Sequence, residues 1–137
     1  MKRFILKEEE LDCLSEWFLE RFKSGVVILR GDLASGKTTL VKNFVKKLNL
    51  KDDVTSPTFS LQQKYGDKIY HYDIYNKGLE HFLSLGMLEE LENDGIHFIE
   101  WGDDKLFEML KKIGLDVAVI DINKIASDKR EYKICIN

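Results

Sequence analysis

Gly31-Asp32-Leu33-Ala34-Ser35-Gly36-Lys37-Thr38 spells the pattern G-x-x-x-x-G-K-[ST], and its flanks decide the fold. Just before it, Val26-Val27-Ile28-Leu29 is a short, continuous apolar run of the kind buried on both faces of a parallel sheet. Just after it, Leu40, Val41, Phe44, Val45 and Leu48 recur at helical spacing. Strand, glycine loop, helix is the order that a phosphate-binding loop requires. Glycines let the backbone turn its N–H groups onto phosphates, and the following helix presents its positive N-terminal end. Lys37 then reaches the β- and γ-phosphates, and the Thr38 hydroxyl is a ligand for Mg²⁺. The stretch from Gly31 to Thr38 therefore predicts a nucleoside triphosphate site.

Working outward, 137 residues with 44% hydrophobic content suit one domain, 1–137, with a real core and little room for a second. A net charge of -3, with only Arg3, Arg21, Arg30 and Arg130 as arginines, gives no footprint for autonomous nucleic-acid binding. Cys13 and Cys135 are isolated, which fits reduced thiols in a cytoplasmic protein, with core packing as the alternative. Phe4-Ile5-Leu6, between Lys2-Arg3 and Lys7, is too short for a signal-peptide core or a membrane span, so no membrane association is expected.

Leu11, Leu14, Trp17, Phe18 and Phe22 mark the apolar stripe of a helix over about 8–23. Residues 59–65 and 68–75 read as strands joined by Gly66-Asp67, a two-residue connection suited to a hairpin. In the second arm Tyr70, Tyr72 and Ile74 share one face, and Ile69, His71, Asp73 and Tyr75 share the other. Short helices are predicted within 79–92, a strand at 96–99, a helix at 103–113, and strands at 115–122 and 132–136. The expected fold is α/β: a P-loop NTPase-like three-layer sandwich with a mixed, mainly parallel sheet and a β-hairpin insertion.

A phosphate loop does not specify a reaction, because phosphoryl transfer also needs carboxylates that organise Mg²⁺ and water. Glu100 ends the strand 96–99, where a carboxylate projects from the C-terminal edge of an α/β sheet. Asp73, near the end of the hairpin's second strand, is the other candidate. His71 and His97 lack a serine, cysteine or metal-ligand partner at recognisable spacing and read as hydrogen-bonded structural residues. Trp101 reads as packing, on the face opposite Glu100, and Arg130 as a solvated charge or, if its strand comes over the site, a phosphate sensor. Two guanine-nucleotide signatures are nearly present. Asp73-Ile74-Tyr75-Asn76 has Asn76 where D-x-x-G needs glycine, and Asn123-Lys124-Ile125-Ala126 has Ala126 where N-K-x-D needs the guanine-reading carboxylate, so ATP is the expected nucleotide.

Taken in order, Gly31-Asp32-Leu33, Gly36-Lys37-Thr38-Thr39-Leu40, Ser56-Pro57-Thr58-Phe59, His71-Tyr72-Asp73-Ile74-Tyr75 and Ile99-Glu100-Trp101 resemble the TsaE family from about Gly25 to Asp103. The resemblance implies an ATPase that works with TsaD and TsaB to make threonylcarbamoyladenosine in tRNA, touching tRNA only through that complex. It implies phosphate and Mg²⁺ roles for Lys37, Thr38 and Thr39, acidic site positions at Asp73 and Glu100, and a switch-like loop at Thr58. The candidate residues are thus Gly31, Asp32, Leu33, Ala34, Ser35, Gly36, Lys37, Thr38 and Thr39 for ATP, Asp73 and Glu100 for catalysis, and Thr38 and Glu100 for Mg²⁺. Ala34-Ser35 stands where the family usually has Gly-Ala, which stiffens the loop if position 34 takes a positive φ. A small-molecule kinase and a nucleotide-gated binding module with negligible hydrolysis remain alternative readings.

Overall fold

The apolar run before the loop forms β2 (Gly25–Arg30), and Val26, Val27, Ile28 and Leu29 have no exposed surface. A strand buried on both faces needs neighbours on both edges. In the computed structural model, which describes residues 1–51, 54, 62–75 and 78–137, β5 (Ile96–Glu100) and β6 (Val117–Lys124) supply them, both parallel to β2. Outward from β5 lie β4 (Ile69–Asp73), parallel, and β3 (Gln62–Tyr65), antiparallel; outward from β6 lie β7 (Arg130–Ile136) and β1 (Lys2–Leu6), both antiparallel. The order among the described residues is β1-β7-β6-β2-β5-β4-β3. Parallel pairing thus occupies the centre, and antiparallel pairs close both edges, which places the ends of β2, β4 and β5 side by side.

Alternation along the strands splits the core in two. Val27 and Leu29 of β2, with Ile96 and Phe98 of β5, face α1 (Leu11–Arg21) and α2 (Lys37–Lys47). Val26, Ile28 and Ile99 face α3 (Gly78–Ser84), α4 (Met87–Glu90) and α5 (Asp104–Lys112). The result is a helix–sheet–helix sandwich. The first face is centred on Phe44 of α2, whose ring lies 5.4 Å from Phe18 of α1 and 5.1 Å from Phe98 of β5. A polar seam also binds α1 to α2: Asn43 accepts from Ser15 and donates to Asp12 at 3.0 Å. On the second face, α5 starts where the Asp103 carboxylate caps the Leu106 N–H at 2.9 Å, and it buries Leu106 and Leu110.

Several sequence expectations are refined. The stretch 8–23 divides into a 3-10 turn at Glu8–Glu10 and α1, and Cys13 is exposed rather than packed in the core. Phe4-Ile5-Leu6 belongs to β1, an edge strand too short to announce itself by alternation; β7 supplies its pairing from the far end of the sequence, with Phe4 opposite Tyr132, and the Arg3 side chain adds an ion pair with Glu131. The hairpin connection holds three residues, Gly66 to Lys68, because Tyr65 pairs with Ile69; Gly66 takes φ +60°. The hairpin is no appendage, since β4 pairs with β5 along its whole length. Residues 59–61 of the expected first arm and Ser56-Pro57-Thr58-Phe59 lie outside the described residues, apart from which no helix is long and apolar enough to cross a membrane.

Phe44→Ala removes the ring shared by α1, α2 and β5, and a buried Phe-to-Ala change costs about 3–5 kcal/mol. Urea unfolding of the variant should show a loss of that size with the slope unchanged.

Candidate functional site

The sheet's parity decides what reaches the phosphate loop. Asp73 and Glu100 end β4 and β5 as register partners, and both lie on the strand face shared with Ile69, His71, Ile96 and Phe98. That face carries α2. Glu100 consequently meets the first turn of α2, where the Thr38 hydroxyl donates to Glu100 Oε2 at 2.8 Å. The two residues read from sequence as Mg²⁺ ligands are in direct contact.

Glu100 is only 3% exposed, and an isolated carboxylate at that depth would be costly. His71 supplies the second donor. Its Nε2 lies 2.5 Å from Glu100 Oε2, and its Nδ1 lies 2.9 Å from the Tyr65 hydroxyl. A carboxylate only accepts, so Nε2–H donates. His71 was read as a structural histidine; its ring is indeed fully buried, yet it is held against the candidate acidic centre. The signal was the shared face of His71 and Asp73, with the missing piece being which strand lies alongside. His97 keeps its structural role, bonded to the Tyr72 hydroxyl at 2.8 Å and the Asn93 carbonyl at 2.8 Å, and burial pushes its pKa down. Asp73 accepts from the Tyr75 N–H at 2.9 Å, a local turn bond that fixes its carboxylate beside Glu100.

The loop curls over the N-terminus of α2. Lys37 Nζ donates to the Gly31 carbonyl at 2.8 Å and the Asp32 carbonyl at 3.0 Å. Burial lowers its pKa, while Glu100, Asp73 and Asp32 oppose that shift. Gly31 has no room for a side chain, since a Cβ would stand 2.7 Å from the Ile122 carbonyl. Ala34 takes φ +60°, a left-handed conformation that is costly for a residue with a Cβ. Trp101 also has a positive φ, +72°, while its N–H still donates to Leu29 of β2. It packs against the second core cluster as expected, but the turn also brings its ring 4.0 Å from Lys37 Nζ and 4.5 Å from the Tyr75 ring. Trp101 thus faces the loop lysine, a cation–π contact that alternation alone did not predict.

Together these residues line a cleft of about 520 Å³: Leu33 to Thr39 on one wall, Asp73, Tyr75, Glu100 and Trp101 opposite, with Arg130 above the loop. Gly31 and Asp32 lie behind the loop, on a second cleft beyond Trp101. The hydroxyl of Thr38 and the two carboxylates are hard oxygen donors suited to Mg²⁺. Among the described residues no group of three or more His, Cys, Asp or Glu forms a cage for a metal. Thr58 and Asn76 lie outside the described residues.

The family model for threonylcarbamoyl adenosine biosynthesis protein TsaE matches residues 5–132. The chain belongs to the TsaE family. It is 33% identical over 115 residues to the tRNA threonylcarbamoyladenosine biosynthesis protein TsaE of Treponema pallidum, covering 82% of each chain. The TsaE protein of Rickettsia typhi is 34% identical over 137 residues, covering 90% of this chain and 91% of the relative. The crystal structure of YdiB from Bacillus subtilis matches with a TM-score of 0.71 and 26% identity, covering 97% of this chain and 84% of that one. The TsaE match thus takes in both walls of the cleft and Arg130.

His71→Ala leaves Glu100 short of one donor in a buried setting, so unfolding free energy should fall by about 1.5–3 kcal/mol. His71→Gln, which keeps an N–H donor, should recover part of that loss in the same denaturant titration.

Proposed function

We propose that residues 1–137 form a single Mg²⁺-dependent ATPase domain that supports threonylcarbamoyladenosine formation on tRNA together with TsaD and TsaB in the cytoplasm. The observation that carries the reading is the Thr38–Glu100 hydrogen bond, which joins the phosphate loop to a strand-end carboxylate. A threonine hydroxyl can donate to a carboxylate through its proton while its oxygen lone pair faces a cation. Family membership and the names of the Treponema and Rickettsia relatives support the tRNA-modification role.

In this reading the loop amides and Lys37 bind the β- and γ-phosphates, and Thr38 and Glu100 would hold Mg²⁺. Mg²⁺ so held would offset charge on the phosphate oxygens. Asp73 and Glu100 orient the water that attacks the γ-phosphorus as the bond to the β-phosphate oxygen breaks, giving ADP and inorganic phosphate. Thr58 belongs to a switch-like loop on which the partners would act. ATP is favoured over GTP because Ala126 offers no carboxylate to the guanine edge.

The roles separate by experiment. Lys37→Ala should weaken ATP binding about ten- to a hundredfold in calorimetry, the scale of a lost charge-assisted hydrogen bond. Glu100→Ala and Asp73→Ala should retain most ATP affinity and lose turnover, measured with and without TsaD and TsaB. Full partner-stimulated turnover by Glu100→Ala would overturn the carboxylate assignment, and unchanged affinity in folded Lys37→Ala would overturn the nucleotide site.

A further inference from the structure

Resting on the nucleotide-site reading, the geometry points to His71 as the positioning residue that gives the two oxygens of the Glu100 carboxylate separate tasks. Both hydrogen bonds that Glu100 accepts, from the Thr38 hydroxyl at 2.8 Å and from His71 Nε2 at 2.5 Å, fall on Oε2. Oε1 accepts none among the described residues. It is not sealed either, since the one buried side-chain nitrogen or oxygen without a partner among those residues is a terminal nitrogen of Arg30. An oxygen neither bonded nor sealed keeps an opening, and for Glu100 the opening is the cleft between the phosphate loop and Trp101. Oε2 is thus the fixed oxygen and Oε1 the working one.

A single donor does not fix a carboxylate. The last torsion of a glutamate is broad and roughly two-fold, so Thr38 alone would let the group swing about that contact or exchange one oxygen for the other. His71 removes both freedoms. It stands in register with Phe98 on the neighbouring parallel strand, and its ring reaches along the sheet to Glu100, two positions further on. The ring has no exposed surface, and its far nitrogen, Nδ1, is engaged by the Tyr65 hydroxyl at 2.9 Å. Tyr65 itself pairs with Ile69 across the hairpin, so the support runs through three adjacent strands, β3, β4 and β5. A donor carried on rigid strands and a hydroxyl carried on α2 hold Oε2 between them.

The division has a chemical consequence. Hydrogen-bond partners behind a metal ligand set its orientation, and removing one costs about 10–100-fold in metal affinity or activity. Lys37 and the loop amides, which meet the phosphates in this reading, have no contact with the His71 ring. His71 therefore governs the Mg²⁺-dependent part of nucleotide binding and turnover, and leaves the Mg²⁺-free part to the loop.

Calorimetric titration of ATP into the full chain, in EDTA and over a series of Mg²⁺ concentrations, tests this for wild type, His71→Leu and His71→Gln. Turnover is measured alongside with TsaD and TsaB present. His71→Leu should bind ATP in EDTA as wild type does, yet need about 10–100-fold more Mg²⁺ for its half-maximal gain in affinity. Its kcat should fall by a similar factor while KM for ATP at saturating Mg²⁺ holds, a split that lower stability of a folded protein does not produce. His71→Gln, which keeps an N–H donor on a more flexible chain, should fall between. Tyr65→Phe, which unfastens the ring at Nδ1, should raise the Mg²⁺ requirement in the same direction and carries the test if His71→Leu does not fold. A folded His71→Leu with the wild-type Mg²⁺ requirement and kcat would overturn the inference. An affinity loss of equal size in EDTA and in Mg²⁺ would overturn it too, marking a purely structural histidine, as would wild-type behaviour of both His71→Gln and Tyr65→Phe. Wild-type protein that binds no ATP, or binds it equally with and without Mg²⁺, would overturn the site reading itself rather than the role of His71.

Discussion

One carboxylate oxygen, Oε2 of Glu100, takes a hydrogen bond from Thr38 and another from His71, and so ties α2, β4 and β5 together at a single buried point. Each partner is there for a reason set elsewhere in the fold. Glu100 faces α2 because Phe98, two residues earlier, packs under Phe44 of that helix. His71 faces Glu100 because β4 runs parallel to β5 with Asp73 opposite Glu100. Thr38 is in reach because the loop returns the chain over the end of β2. The hydrophobic core and the polar junction are therefore one construction: the rings fix the parity of the strands, and the parity delivers the polar groups.

Much of this was legible in the chain. The loop, its flanking strand and helix, and the strand-end glutamate are local features, each readable within about ten residues by period and residue type. The alternation of β4 gave the correct face for Asp73 and His71 without the structure. What stayed hidden is non-local. That β5 lies beside β4, making His71 a partner of Glu100, follows from strand order, and β1 is defined only by pairing with the far end of the chain. Arg130 belongs to the same class, because 95 residues separate it from Ser35 and only the β6–β7 pairing brings it over the loop. Trp101 escaped for another reason: its alternation was read correctly, but a positive φ at the strand end turns the ring toward Lys37.

Unfavourable backbone is concentrated at this cleft. Ala34 at φ +60° and Trp101 at φ +72° are two of three non-glycine residues with positive φ among the described residues, the third being Asn49 just past α2. Residues held this way cost about 1–3 kcal/mol each and persist only where surrounding contacts over-determine them. Here β2 supplies those contacts, accepting the Trp101 N–H while both faces of the strand remain sealed. The buried charges tell the same story. Asp73 and Glu100 outnumber Lys37 among the deeply buried ionic groups lining the cleft, an imbalance suited to a divalent cation carried in with polyphosphate.

The central claim is that the Thr38–Glu100 junction and the Lys37 loop form one Mg²⁺–triphosphate site. A crystal structure of the protein with Mg²⁺ and a non-hydrolysable ATP analogue tests it most directly. The expected result is Lys37 Nζ moved from the Gly31 and Asp32 carbonyls onto β- and γ-phosphate oxygens, with Thr38 Oγ1 on Mg²⁺ and its proton still directed at Glu100. Triphosphate density away from the loop, or Lys37 still bonded to Gly31 and Asp32 beside a bound analogue, would contradict it.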